Sequence, residues 1–207
     1  MNNFLSKAKK FLGFLSLGAR VGNTPAPRPW EASYPDGIDW YADLPVKPLP
    51  TLLDAAVESF PDNVCVRFRG RQYKYAEIAD LVARAAKGFQ DLGVRNGIKV
   101  GLMLPNCPYG VICFYAVLKA GGTVVNINPL YAEAEIKKEI QDAGIRLMVT
   151  LNVKTLYPKV AKRVDEGRLE KIIVCSMTGI LPLHEKALFP LLRRRELATV
   201  PEDDNHI

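Results

Sequence analysis

Residues 102–144 read LMLPNCPYGVICFYAVLKAGGTVVNINPLYAEAEIKKEIQDAG, and this stretch decides the fold class. Its first residues complete a short apolar run, Lys99 to Leu104, that a proline ends. Pro108 begins a predicted helix, which a pair of glycines ends. The β-branched run from Thr123 to Ile127 then predicts a strand. Apolar strands that alternate with helices indicate βαβ units, in which helices cover both faces of a parallel sheet.

The same alternation continues on the C-terminal side of this stretch. Ala132 to Ala143 is predicted as a helix, and Arg146 to Thr150 as the strand that follows it. A further helix is predicted near residues 154–165, and a further strand from Lys171 to Cys175. We expect the connections between these parallel strands to be right-handed.

Upstream of the quoted stretch, the sequence predicts a β-hairpin between two helices. Thr51 is suited to cap the first helix. The hairpin pairs Val64–Arg69 with Gln72–Tyr75 around a tight turn at Gly70-Arg71. Apolar residues from Ile78 to Leu92 have the spacing of one helical face. The predicted fold class is therefore α/β, with a parallel-rich sheet flanked by helices and a small β-hairpin beside it.

Positive charge is concentrated at one end of the chain. The 207 residues carry a net charge of +6, and residues 1–30 supply five basic side chains and no acidic one. The other 177 residues hold 23 basic and 22 acidic side chains. A nucleic-acid-binding domain usually spreads basic residues over its folded face. We therefore expect no nucleic-acid partner, and an anionic membrane surface is the favoured partner of the charged end.

Residues 4–20 favour a basic amphipathic helix that rests on a membrane surface. Phe4, Phe11 and Leu15 share one helical face, while Lys7 and the other lysines lie away from its centre. A signal peptide and an extension without a partner are the two alternatives. The longest apolar runs are too short to span a bilayer. We expect a cytoplasmic protein, peripheral at the inner face of the cytoplasmic membrane.

Four regions are predicted along the chain. Residues 1–24 form the basic amphipathic tail, and residues 25–50 form an extended segment, because proline recurs in it and stiffens the backbone. Residues 51–180 form the α/β domain. Residues 181–207 form a trailing segment, and we expect no apolar element after Pro201.

The sequence contains no complete active site. It lacks the G-x-x-x-x-G-K-S/T loop, a G-x-G-x-x-G motif after a strand, and the G-x-S-x-G nucleophile motif. His184-Glu185 begins like a zinc-protease motif, but Leu188 stands where the second histidine would be. No residue is assigned a catalytic, cofactor-binding or metal-binding role. Reduced thiols are favoured over disulfides for the four cysteines, none of which forms a C-x-x-C pair: Cys65, Cys107, Cys113 and Cys175.

The quoted stretch resembles the adenylate-forming acyl-CoA synthetases. That family has a strand ending in LPN, a glycine turn into a strand, an NPLY segment and a helix ending in D-x-G. The matching positions here are Pro105-Asn106, Ala120–Gly122, Asn128–Tyr131 and Asp142–Gly144. FRGRQYKYAEI is similar to the family's hairpin and the helix after it. Pro29-Trp30, Tyr34-Pro35 and Asp36-Gly37 resemble the entry of the bacterial long-chain fatty-acid members, so the resemblance covers about residues 28 to 205.

The resemblance implies that the intact enzyme joins a fatty acid to CoA with ATP and Mg, through an acyl-adenylate. The family's phosphate loop, adenine-binding motif, ribose-binding aspartate and C-terminal lysine would all follow Ile207. We therefore expect this segment to bind no cofactor and to be inactive by itself. Two alternatives stay open. One is a fragment of another adenylate-forming ligase, of aryl or acyl-AMP type, and the other is a non-catalytic membrane-associated α/β module.

The NPLY segment favours a structural role over contact with substrate. Asn128 and Pro129 suit the turn after a strand, and Leu130 and Tyr131 are expected to pack beneath it.

Overall fold

The computed structural model describes residues 28–38, 42–43, 46–167, 169–192 and 194–207. The chain separates into two units, Met1–Val46 and Lys47–Ile207. The described part of the first unit contains one 3₁₀ turn, Glu31–Ser33. The predicted membrane-binding helix at residues 4–20 lies outside the described residues and stays a prediction. Within the described ranges, no helix combines the length and the apolar character that crossing a bilayer requires.

The described strands of the second unit form two sheets. They are β1 (Val64–Phe68), β2 (Arg71–Lys74), β3 (Lys99–Leu102), β4 (Thr123–Asn126), β5 (Leu147–Leu151) and β6 (Lys171–Cys175). β1 and β2 pair antiparallel as the predicted hairpin. The other four strands form a parallel sheet in the order β4-β3-β5-β6. The predicted α/β class is confirmed.

Helices cover both faces of the parallel sheet. The described helices of the second unit are α1 (Pro50–Ser59), α2 (Tyr75–Asp91), α3 (Pro108–Lys119), α4 (Glu133–Ala143), α5 (Tyr157–Asp165) and α6 (Leu183–Leu192), of which α1 to α5 pack in the two cores below. One apolar core joins α1, α2 and α3 to Leu147 and Val149 of β5. A second core joins α4 and α5 to Met148 of the same strand. Because successive strand residues point to opposite faces, the two cores lie on opposite sides of the sheet.

Two local predictions at the start of the α/β unit were wrong. Leu49, not Thr51, occupies the cap position before α1, and the Thr51 hydroxyl instead donates to the Pro48 carbonyl at 2.7 Å. Phe68 pairs with Arg71, so the hairpin turn is made by Arg69 and Gly70 rather than by Gly70-Arg71. Both turn residues have positive φ, 49° and 83°, as a two-residue hairpin loop with the twist of its strands requires.

No described helix or strand follows Pro201, as expected, but the last residues make backbone contacts with the outer edge of β6 that the sequence did not predict. The Ile172 amide donates to the Asn205 carbonyl at 2.8 Å, and the Val174 amide donates to the Ile207 carbonyl at 2.7 Å. Ile172 and His206 form a parallel bridge. These contacts join segments about thirty residues apart in the sequence. The hydrophobic periodicity within either segment does not reveal such pairing.

Candidate functional site

The carboxyl ends of the parallel strands define the place where a site is expected. The chain leaves β3 for β4 on one side and later returns to β5 on the other side of β3. The connecting helices follow this reversal, since α3 packs in the first core and α4 in the second. In open α/β sheets, ligands bind outside the carboxyl ends of the strands at such a reversal. The loops after β3 and β4 therefore form the candidate site.

A pocket of about 840 Å³ opens at these two loops. The hairpin strand β1 and helix α3 form its sides. Its walls are mainly apolar, and its polar side chains include amides, one guanidinium and two phenols. The apolar group includes Phe68, Leu104, Val111, Phe114 and Ile127, and the polar group includes Arg67, Asn106, Tyr115, Asn126, Asn128 and Tyr131.

This pocket provides hydrogen bonds and apolar contact rather than acid–base chemistry. No carboxylate or imidazole is among its lining side chains in the described part of the chain. Cys107 lines it, and burial raises the pKa of the Cys107 thiol, although nearby backbone amides oppose the shift. The thiol is consequently protonated near neutral pH and is a weak nucleophile.

The loop after β4 is held by three hydrogen bonds between side chains and its backbone. The Leu130 amide donates to Asn128 Oδ1 at 2.9 Å, which closes a turn through the asparagine side chain. Lys159 Nζ donates to the carbonyls of Pro129 and Tyr131 at 3.2 and 2.9 Å. The predicted turn at Asn128 and Pro129 is therefore present.

Leu130 departs from the prediction that it packs beneath this turn. Its side chain is 88% exposed, whereas Tyr131 packs against the second core as expected. The bonds on both sides of Leu130 hold its backbone at the tip of the loop, and its side chain extends into solvent.

A second pocket of about 570 Å³ lies beside the first, above the end of β5. Leu151 and Met177 line it, and it shares Pro105 and Pro129 with the first pocket. Pro105 and Pro129 therefore lie between the two pockets, whereas Leu130 lines the second pocket and not the first. No group of three or more histidine, cysteine, aspartate or glutamate side chains in the described ranges could hold a metal ion.

Comparison with known proteins decides the family. Residues 53–203 match the family described as "AMP-binding enzyme". This chain belongs to the AMP-binding enzyme family. Its relatives within that family include CoA ligases with different named substrates.

Three curated AMP-binding relatives show this range of substrates. The long-chain-fatty-acid–CoA ligase of Bacillus subtilis is 35% identical over 170 residues, 82% of this chain and 30% of the relative. The enzyme of the same name from Haemophilus influenzae is 28% identical over 84% of this chain and 31% of its own. Probable 4-coumarate–CoA ligase 1 of Dictyostelium discoideum is 31% identical over 66% of this chain and 25% of its own. The chain thus spans about a third or less of the length of these relatives.

Solved structures of AMP-binding enzymes share the fold. The anthranilate–CoA ligase AuaEII aligns with a TM-score of 0.59 at 20% identity, over 79% of this chain and 30% of that one. The N-terminal subdomain of NpsA from Klebsiella oxytoca aligns with a TM-score of 0.51 at 26% identity, over 54% of this chain and 29% of that one. The structure described here is accordingly a partial adenylate-forming fold.

Sequence reasoning assigned no site residue, and the structure brings several polar residues together at one edge. Asn106 follows β3, Asn126 ends β4, and Asn128 lies two residues further on. These positions share a pocket with Arg67 of the hairpin. The polar residues that follow two parallel strands could have predicted this site from the sequence, because the carboxyl ends of such strands meet at one edge of the sheet. The hairpin residues that line the pocket could not be predicted, because their position depends on tertiary packing and not on the pattern of the strands.

Proposed function

We propose that this chain is the N-terminal scaffold of a long-chain fatty-acid–CoA ligase. The whole enzyme would convert ATP, a fatty acid and CoA into acyl-CoA, AMP and pyrophosphate. The observation that carries the proposal is the Bacillus subtilis relative, whose match covers 82% of this chain. ATP, Mg and CoA are the cosubstrates and metal of the proposed whole enzyme, and none of them is assigned to a described residue.

The long-chain branch is favoured over an aryl-acid branch by the extent of the match. The Bacillus subtilis ligase aligns over 170 residues, whereas the Dictyostelium probable 4-coumarate–CoA ligase 1 aligns over 139. The mainly apolar walls of the first pocket are compatible with either kind of acid, so the pocket does not decide between them.

A chimera tests this assignment of substrate. The matching segment of the Bacillus subtilis ligase is replaced by this chain, and acyl-CoA formation from palmitate and from 4-coumarate is measured. A matched chimera places the same chain in the Dictyostelium ligase. We expect palmitoyl-CoA formation by the first chimera and little activity in the second. A folded but inactive first chimera beside an active second one would overturn the long-chain assignment.

The chain alone is proposed to be a scaffold without catalytic activity. The first pocket offers amides and a protonated thiol, which can orient a ligand but cannot supply a general base at neutral pH. Purified chain with ATP, Mg and palmitate should release no pyrophosphate above the rate of a palmitate-free control. Palmitate-dependent pyrophosphate release would refute the scaffold role.

We also propose that residues 4–20 bring the enzyme to an anionic membrane surface. Their basic and apolar side chains supply both contributions to interfacial binding, charge attraction and insertion of apolar side chains. Sedimentation with anionic and zwitterionic liposomes compares the full chain with a chain lacking residues 1–24. We expect only the full chain to pellet, and only with anionic liposomes. Equal pelleting of the two chains would end this proposal.

A further inference from the structure

Residues 28–38, which we call the Trp30 segment, expose all three of their large apolar side chains. The exposed fractions are 50% for Trp30, 46% for Tyr34 and 54% for Ile38, and no residue of the segment is buried. Tryptophan side chains are highly buried on average in folded proteins. A half-exposed tryptophan with two further exposed apolar side chains close to it in the sequence therefore favours a contact with something outside the described fold.

The backbone of the Trp30 segment is suited to the edge of a lipid layer. Pro29 and Pro35 have no amide hydrogen. Four other amides donate to the carbonyl three residues earlier, at 2.9 to 3.4 Å: those of Glu31, Ser33, Tyr34 and Ile38. Because an unpaired peptide group is costly to remove from water, these local bonds lower the free-energy cost of placing the segment at an interface.

Arg28 gives the exposed tryptophan a positively charged partner. Its guanidinium carbon lies 5.5 Å from the centroid of the Trp30 ring, which is a cation–π contact. The pair thus presents a guanidinium, which binds phosphate through paired N–H donors, and an indole, which has an apolar body and a polar N–H. A phospholipid surface complements both groups, since its phosphates lie at the headgroup level, where tryptophan is enriched.

The charge of the preceding chain selects the kind of lipid. Residues 1–30 contain five basic side chains and no acidic one, and anionic lipid attracts such a segment. Glu31 and Asp36 carry negative charge and oppose deep insertion, so the contact is expected at the headgroup level rather than among the acyl chains. The partner that these features fit is an anionic bilayer surface.

We propose that Trp30, with Arg28 stacked on it, is an interfacial anchor for an anionic phospholipid bilayer. This inference rests on the membrane contact proposed for residues 4–20, which supplies most of the charge that attracts the chain. The anchor lies outside those residues, and its role is different. It holds residues 28–38 at the headgroup level once the chain has reached the surface.

The fluorescence of Trp30 tests this contact directly in the full chain. The sequence contains two tryptophans, and Trp40→Phe leaves Trp30 as the only one. Vesicles of phosphatidylcholine with phosphatidylglycerol should shift its emission to shorter wavelength, because the indole leaves water for the interface, and vesicles of phosphatidylcholine alone should not. Lipids brominated near the carboxyl end of the acyl chain should quench this emission more than lipids brominated near the methyl end.

Substitutions measure what the anchor contributes to binding. Trp30→Ala should weaken partition of the full chain into the anionic vesicles about fivefold or more, as expected for the loss of one aromatic contact. Phe60→Ala is the matched control, because Phe60 is a 55% exposed aromatic residue of the second unit, and it should change partition less than about twofold. Arg28→Gln should weaken partition by a smaller factor than Trp30→Ala, and added salt should remove its effect. Both alanine variants should keep the urea unfolding midpoint of the parent chain, since both side chains are half exposed.

The outcomes separate this inference from the proposed contact of residues 4–20. Unchanged Trp30 emission, or equal partition of Trp30→Ala and Phe60→Ala, in a chain that pellets with anionic liposomes would overturn the anchor alone. A chain lacking residues 1–24 that pellets as well as the full chain, with the Trp30 shift intact, would overturn the role of the tail alone. A shift that follows protein concentration without vesicles would assign Trp30 to a contact between copies of the chain and would overturn the lipid anchor. An equal shift with phosphatidylcholine alone would overturn the assignment to an anionic surface.

Discussion

The two faces of the parallel sheet are stabilised in different ways. On the first face, α3 carries apolar residues around most of its circumference, because it packs against the sheet and against α2. On the second face, α4 and α5 each bury a narrow apolar stripe and carry charges elsewhere. The first face depends on apolar burial, and its ion pairs, such as Lys119 with Asp54 between α3 and α1, are partly exposed. The second face adds a buried charged side chain, Arg163, to its apolar contact.

Arg163 is the centre of the ionic part of the second face. Its side chain is 3% exposed, and its guanidinium lies 3.4 Å from a Glu133 oxygen and 2.9 Å from a Glu166 oxygen. Glu133 also pairs with Lys162 at 2.9 Å. On the first face, by comparison, the pair between Arg84 and Asp80 is largely exposed. The difference predicts that replacing a charged residue lowers the free energy of unfolding mainly on the second face. Truncating an apolar residue should lower it mainly on the first face.

The largest effect is expected from truncation in the first core. Ile78 of α2 and Ile136 of α4 are both fully buried, one in each core. Ile78→Ala should reduce the free energy of unfolding by about 4 kcal/mol, and Ile136→Ala by about 3 kcal/mol, because α4 has fewer packed neighbours and can partly close the cavity. Urea denaturation of the two variants measures both values. A larger loss for Ile136→Ala would reverse the comparison.

The next effect concerns the buried arginine. Arg163→Met should lower the free energy of unfolding by about 2 kcal/mol, less than for a fully buried pair, because the two glutamates it leaves can regain water. Arg84→Met is the control on the first face and should cost at most about 0.5 kcal/mol, since exposed pairs contribute little. If the two substitutions had equal effects in urea denaturation, the ionic contribution assigned to the second face would be wrong.

The order of elements could be predicted from the sequence because each one has local signals. Helical spacing, β-branched runs, and glycine or proline at the boundaries predicted the hairpin and the alternation of α2 to β6. The exposure of Leu130 could not be predicted, because a leucine is more often buried. Its backbone is held by three hydrogen bonds, and two of them come from Lys159, about thirty residues away in the sequence.

Pairing at the sheet edge was missed for a similar reason. Residues 205–207 are too few to show a strand period, and their partner is β6. The candidate pocket was missed because its amides are placed by the topology of the sheet and its Arg67 by the hairpin. Local pattern therefore determined the elements, whereas contacts between distant segments determined the site.

A pH titration sharpens the comparison of the two faces. The hydrogen bond from Lys162, its charge and the charges of nearby cations lower the pKa of Glu133 below the ordinary value of 4.5. A carboxyl group with a lowered folded-state pKa stabilises the protein above the unfolded value, and this stabilisation is lost as pH falls through the folded value. The stability difference between the protein and Lys162→Met should therefore be constant above about pH 5.5 and shrink below about pH 4.5. A difference that stays constant down to pH 3 would show that the pair does not form.

The smallest effect is expected at the start of α1, on the first face. A threonine that caps a helix typically contributes about 1 kcal/mol, which Thr51→Ala would remove. Thr51 instead lies inside the helix, where its hydroxyl binds the Pro48 carbonyl. Loss of that bond costs about 0.5 to 1 kcal/mol, and alanine regains about 0.5 kcal/mol through its higher helix propensity. Urea denaturation should therefore give a change of at most about 0.5 kcal/mol, and a loss of 1 kcal/mol or more would show that polar contacts on the first face also contribute substantially.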